Sequence, residues 1–279
     1  MRLRSWTFLF SRWRLSDWPF HASLGIIAAL YVGLILALVL ADAAFAEPGR
    51  LLQTLSAPEI RYSIKLSLIS CTAAALLSLW VAVPTGYLLS RWSFPGKNVV
   101  DAVLDIPIVL PPLIVGLSLL ILFQTPAGKA VEQIIPVTYA VPGVILAQFA
   151  VACAFAVRAM RITFDQISPR SEQVALTLGC TQAQAFWHVA IPEARQGMLT
   201  AFTLAWARSL GEFGPILVFA GSTRMRTEVL SVSVFLELSI GNLEAAVAVS
   251  LLMILTAVVV LLLVRLFGST RTLETAVKP

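Results

Sequence analysis

The chain is predicted to be an all-α integral membrane protein of six transmembrane helices, with a cytoplasmic loop between spans 4 and 5. Three observations predict it. Of 279 residues 58% are hydrophobic and only 13% charged, with a mean hydropathy of +0.88, against about 25% charged in soluble domains. Five uncharged runs, 22–41, 66–90, 106–128, 133–157 and 245–264, reach the ~20 apolar residues needed to cross a hydrocarbon core of about 30 Å as a helix. The Lys and Arg residues are asymmetrically placed: with both termini in the cytoplasm, thirteen of the 20 fall inside and six (Arg50, Arg61, Lys65, Lys129, Arg224 and Arg226) outside, as the positive-inside rule requires. The net charge of +5 therefore reflects topology. Nucleic-acid binding is a poor reading, because the basic residues flank apolar spans instead of lining a polar face.

The first element is an Arg-rich leader with Trp6, Phe8, Phe10, Trp13 and Trp18, suited to anchoring at the membrane interface. The run 22–41 follows. Leader, apolar run and Ala44-Phe45-Ala46 together mimic a signal peptide with its small-residue cleavage site. An apolar stretch longer than about 7 to 15 residues favours a retained span. The second span, 66–90, is uninterrupted by charge.

In the third span, prolines at 107, 111 and 112 remove backbone donors and disturb the helix. A membrane tolerates this only where neighbouring helices or water satisfy the freed groups. The span is expected against the helix bundle or a pore; ordinary helix packing is the alternative. The fourth span, 133–157, leads into the longest interior loop, residues 158–196. There Ser168-Pro169 reads as an N-cap with proline at the first helical position, and Gly179 as the helix stop. Thr181 with Gln184 fits a capping box opening a second short helix through Trp187.

The fifth span, 197–221, is apolar but holds Arg208 and Glu212. Each charge costs roughly 2.5 to 3.5 kcal/mol at a helix centre, and the nine Leu, Ile, Phe and Val residues there recover only about 3 to 5 kcal/mol. The span cannot face lipid all round. At i and i+4 the charges can pair, beside Gly211, Gly214 and Pro215, which loosen the backbone. Arg208, Gly211, Glu212, Phe213 and Gly214, with Pro111, Pro112 and Gly116 of span 3, are candidate pore or gate residues. A neutralised pair locking two helices is the alternative. Segment 222–244, placed outside, is a docking surface or a solvated connector, and span 6 closes the bundle at 245–264.

Catalytic motifs are missing from the sequence. No G-x-x-x-x-G-K-[ST] loop could cradle a phosphate, and there is no H-E-x-x-H, G-x-S-x-G or carboxylate pair placed for acid-base work. No catalytic residue, metal or cofactor site is assigned: if ATP and magnesium are used, a second protein binds them. Cys71, Cys153 and Cys180 form neither a disulfide framework nor a zinc spacing, and His21 and His188 lie far apart.

Gln173-Val174-Ala175, then Gly179, then Val189-Ala190-Ile191-Pro192 resembles the E-A-A-x-x-x-G-x9-I-x-L-P loop of binding-protein-dependent ABC transporter permeases. The thirteen residues from Gly179 to Pro192 match that spacing, and small Ala175 and Gly179 permit close approach of another protein. The sequence departs from the motif at its Glu position, where Gln173 stands and Glu172 lies one residue earlier. IPIVLPPLIVG at 106–116 and RSLGEFG at 208–214 are similar to segments of the oxyanion permeases, those for molybdate, tungstate and sulfate.

The resemblance implies a permease subunit of an ATP-driven importer, for an oxyanion such as molybdate or tungstate, with sulfate, thiosulfate or another imported substrate as alternatives. It implies residues 174–192 as the element that couples to an ATPase subunit, a binding protein that delivers substrate, and a second permease copy, since six helices make half of a symmetric pore. The expected organisation is a cytoplasmic leader at 1–19, the first span and external loop at 20–59, a permease core at 60–267 with its coupling loop at about 165–192, and a cytoplasmic tail at 268–279. The spans would sit among the lipids of a bacterial-type inner membrane. A self-sufficient secondary transporter using Arg208 and Glu212 for proton coupling is a further reading, and it leaves the loop motif without a role.

Overall fold

The computed structural model describes residues 17–46 and 48–269, and no β-strand occurs among them. The leader's aromatic residues before Asp17 and the tail after Ser269 lie outside the described residues. Two units are distinguished, Met1–Pro48 and Gly49–Pro279. The first contains α1 (Asp17–Phe45), apolar on all faces, as expected of a helix in lipid.

The second unit begins at Gly49, within α2 (Pro48–Ser56), and holds the helices up to α12 (Leu243–Ser269). Its centre is built by α3 (Pro58–Arg91), α7 (Val141–Gln166) and α10 (Ile191–Leu210). Without a hydrophobic force between helices in lipid, association depends on close packing and hydrogen bonds, which small residues favour. Cys71, Ala74, Ala75, Ser78 and Ala82 form one stripe of α3 and are fully buried, as are Ala152 and Ala156 of α7 and Ala201 and Ala205 of α10. Ile69, Leu76, Leu77 and Trp80, on the remaining faces of α3, are exposed. Large apolar side chains thus turn outward while small ones let the helices meet. Cross-links reinforce them: Trp206 donates to Thr72 Oγ1 (3.3 Å) and Ser67 Oγ accepts the Leu230 amide (2.8 Å).

Four described helices are long and apolar enough to cross a bilayer: α1, α3, α7 and α12. The pair α4 (Lys97–Val109) and α5 (Pro112–Gln124) makes a fifth if it crosses as one bent unit. The predicted third and fifth spans are therefore not single helices. The run 106–128 is divided by a 110° bend, and its end belongs to α6 (Pro126–Ile134). The run 197–221 is divided after Leu210; the chain resumes helical structure at Gly214 and passes through a π-helical turn, Ile216–Ala220.

Two further boundaries differ from the sequence expectation. Helix α7 starts at Val141, not at 133, because Glu132 accepts the Val137 and Thr138 amides (3.1 and 2.9 Å) and fixes a turn after Pro136. The short helix expected to end at Trp187, α9 (Gln182–Ala185), continues through a π-helical turn, Phe186–Ala190, into α10. Pro192 cannot donate to the preceding turn, and the π register, with the Ile191 amide bonded to Phe186 O, accommodates that loss. Segment 222–244 contains α11 (Leu230–Ser239), packed against α12.

Candidate functional site

Two helix breaks meet. In the first, α4 ends at Val109, and Leu110 and Pro111 take extended conformations (ψ 138° and 131°). Each precedes a proline, whose ring excludes the helical region for the residue before it. In the second, α10 stops at Leu210 and Gly211 caps it. A Cβ on Gly116 would lie 2.6 Å from Pro215 Cα, and one on Gly214 would lie 3.0 Å from the Leu113 nitrogen and 3.3 Å from Pro112. Only glycine lets the two breaks interlock in this way. The structure thus brings together Pro112, Gly116 and Gly214 of the sequence-predicted set, with Pro111 at the break and Phe213 next to Gly214, where Phe213 packs on Phe235 (ring centroids 5.1 Å).

Broken helices free backbone groups that membrane surroundings cannot satisfy. Here side chains satisfy them. Gln148 Nε2 donates to Ser209 O (3.2 Å) and Ser231 Oγ donates to Glu212 O (2.8 Å). Gln148 also donates to Cys71 Sγ (3.5 Å), tying α7, α3 and the end of α10 together. Neither Gln148 nor Ser231 was singled out from sequence. An amide inside the otherwise apolar run 133–157 was the available signal for the first.

Arg208 Nη1 pairs with Glu212 Oε2 at 2.6 Å, and Glu212 is 1% exposed while the Arg208 side chain is 27% exposed. The guanidinium also lies over the Phe155 ring, 5.7 Å from its centroid. The two charges neutralise each other within one turn, so the pair itself does not bridge two helices; the contact with α7 is the cation–π interaction.

The remaining predicted residues lie on a helical corner between α7 and α10. Helix α8 (Pro169–Thr177) is capped by Ser168, whose Oγ accepts the Arg170 amide. It ends in a Schellman motif: the Cys180 amide bonds Ala175 O (3.1 Å) and the Gly179 amide bonds Leu176 O (3.0 Å). Gly179 has φ +95°, a left-handed conformation in which a side chain is strained. The Thr181–Gln184 capping box then opens α9. Gln173, Val174, Gly179 and Pro192 are exposed, Leu178 is 80% exposed, and Ala175, Val189 and Ile191 are half-buried. The corner therefore presents an apolar outer face, while Glu172 turns inward to Arg91 (2.8 Å).

Known proteins resemble this chain in sequence and in fold. Residues 82–271 match the family described as binding-protein-dependent transport system inner membrane component. The chain is 32% identical to the sulfate transport system permease protein CysT of Salmonella typhimurium over 69% of this chain and 71% of that one. It is 33% identical to the molybdate/tungstate transport system permease protein WtpB of Thermococcus kodakarensis (71% and 76%). To a probable molybdenum ABC transporter permease protein of Haloferax volcanii it is 36% identical (73% and 74%). Its fold is similar to that of a chain in the bacterial alginate ABC transporter bound to its periplasmic protein, with a TM-score of 0.69 at 16% identity, covering 95% of this chain and 97% of that chain. The chain belongs to the family of binding-protein-dependent transport system inner membrane components.

Proposed function

We propose that this protein is the membrane-spanning permease subunit of an ATP-driven oxyanion importer, working in the inner membrane with a separate ATPase subunit, a substrate-binding protein and a second copy of itself. The observation that carries this reading is a mechanical path. From the exposed corner at Gly179, α9, the π turn and α10 form one helical run that ends at the interlocked breaks. A partner ATPase seated on Val174, Leu178 and Gly179 can push or pull this run. Its far end then moves Gly214 and Pro215 against Pro112 and Gly116, shifting the pore between inward and outward states. In this reading six membrane segments cross the bilayer, α4–α5 and the broken α10 region counting as one each, with both termini in the cytoplasm.

Oxyanions are favoured as substrate because the relatives that this chain matches over about 70% of its length are permeases for sulfate and for molybdate or tungstate. The Arg208–Glu212 contact supports a gate part over a proton carrier, since Glu212 is buried and ion-paired with Arg208. Selectivity is expected in the binding protein, as tight coordination in the pore would slow release. The test is purification with the cognate ATPase and binding protein, then ATP hydrolysis measured with molybdate, tungstate and sulfate. Stimulation by an oxyanion-loaded binding protein is expected; none with any of the three contradicts the substrate class.

A further inference from the structure

The inner side of the corner is held by a junction with no counterpart in the motif that marks the outer side. Arg91, in the last turn of α3, spends its whole guanidinium on it. Nε donates to Glu172 Oε1 (2.8 Å), Nη1 to Phe164 O (2.8 Å) and Ser90 Oγ (3.2 Å), and Nη2 to Ile167 O (3.1 Å). Tyr87, one turn earlier on the same face, donates to Glu172 Oε2 (2.7 Å). Phe164 O and Ile167 O lie at the C-terminal end of α7, where Phe164 O also accepts the Ile167 amide (3.2 Å). Glu172 lies near the N-terminus of α8, where a carboxylate is favoured. Three helices thus share one charged centre.

The Arg91 and Glu172 side chains are 11% and 9% exposed, so solvent screens the pair little. Rings continue the junction: Tyr87 packs edge-on against Phe164 and Phe186 (centroids 5.4 and 4.7 Å), and Phe186 against Trp187 (5.2 Å). A cleft of about 540 Å³ at the junction is lined by Leu88, Trp92, Gln173 and Leu176 as well as by the junction residues themselves. The polar cluster and its rings connect α3 to the corner directly, through Tyr87 and Arg91 to Glu172 and Tyr87 to Phe186. An Arg fork held by four acceptors has one geometry, which a lysine cannot reproduce.

We infer that Arg91, Glu172 and Tyr87 are positioning residues that transmit the motion of the corner into α3 and α7, so that the ATPase stroke moves the bundle as well as α10. The inference rests on the corner being the ATPase-docking element, but the clamp faces away from the docking side: Glu172 is buried while Gln173 and Val174 beside it are exposed. Docking and transmission can therefore be separated.

The experiment uses the full chain with its ATPase and binding protein in proteoliposomes, reading the amount of complex formed and the substrate moved per ATP hydrolysed. Arg91→Ala should lower transport per ATP about tenfold, and Glu172→Gln, Arg91→Lys and Tyr87→Phe about threefold, with the complex still formed. Arg91→Ala combined with Glu172→Ala should be no worse than Arg91→Ala, since the residues act through one another. If Arg91→Ala does not assemble, the three conservative variants carry the test. An unchanged transport-to-ATP ratio in all three would overturn the inference, including the case where complex yield falls and the ratio holds. Absence of any complex with the wild-type chain would instead overturn the docking reading on which it rests.

Discussion

Gly116 lies against Pro215 so closely that a methyl group on Gly116 would come within 2.6 Å of Pro215 Cα. The obstruction is backbone, which cannot swing aside as a side-chain end can. Gly116→Ala should therefore lower thermal stability by the ~1 to 3 kcal/mol of an overpacked core. Gly214→Ala should cost less, since its nearest neighbour is at 3.0 Å. Denaturation in detergent checks the order, and a Gly116→Ala protein as stable as wild type would show that the breaks do not interlock.

The Arg208–Glu212 pair separates architecture from mechanism. Arg208→Ala strands a carboxylate that is 1% exposed, and stranding one partner of a buried pair costs about 3 to 5 kcal/mol. Glu212→Ala strands the more exposed cation and should be milder, and the double alanine variant milder still. If the pair belongs to the gate, the double variant assembles yet transports poorly or hydrolyses ATP without substrate. Normal uptake with normal substrate dependence in the double variant would remove these residues from the gate.

Gly179 tests docking because the chain itself leaves room there: no atom lies within 4 Å of an added Cβ. Gly179→Ala and Gly179→Trp share the left-handed backbone penalty of about 1 to 2 kcal/mol, and differ only in reach. Both should fold. Gly179→Trp should lose ATPase association or coupling at least tenfold beyond Gly179→Ala, measured by co-purification and substrate-stimulated hydrolysis; equal behaviour would argue that nothing seats on the corner.

Glu228 lies in the link before α11, fully buried, with Oε1 accepting from Ser233. Burial pushes its carboxyl above the usual range and the nearby Glu237 adds to this, while Ser233, Arg224 and the Met225 amide oppose it. A folded-state value above the unfolded one means that the unfolded chain loses its proton first. This contribution to stability is present below the unfolded value near 4.3 and is lost as pH rises through the folded value. Melting temperature should fall over that window in wild type and fall less in Glu228→Gln. A Glu228→Gln variant with the wild-type slope would rule the residue out.

Much of this was legible in local chemistry. The Ser168 cap, the Gly179 stop and the Thr181–Gln184 box depend on neighbours within a few residues, and each occurs where the sequence placed it. Apolar runs marked the long helices for the same reason. The breaks were legible only as disturbance: Pro111 and Pro112 announce that a helix is upset, but the 110° turn depends on what packs opposite. Glycine at 116 and 214 gives no hint that each faces the other's proline, because the contact spans about a hundred residues of sequence. Ser231 and the Arg91–Glu172 junction were hidden likewise, whereas Gln148 stood out only as an amide in an apolar run. Hydrogen bonds such as Tyr87 to Glu172, 85 residues apart, have no periodicity to betray them.

The central claim is that motion imposed at the corner is converted to oxyanion passage at the breaks. Uptake of labelled molybdate, tungstate and sulfate into proteoliposomes holding this chain with its ATPase and binding protein measures it directly. The account predicts uptake of at least one of the three that requires both ATP hydrolysis and the binding protein, and that Gly179→Trp abolishes. Uptake that proceeds without ATP, or without the ATPase subunit, would contradict it.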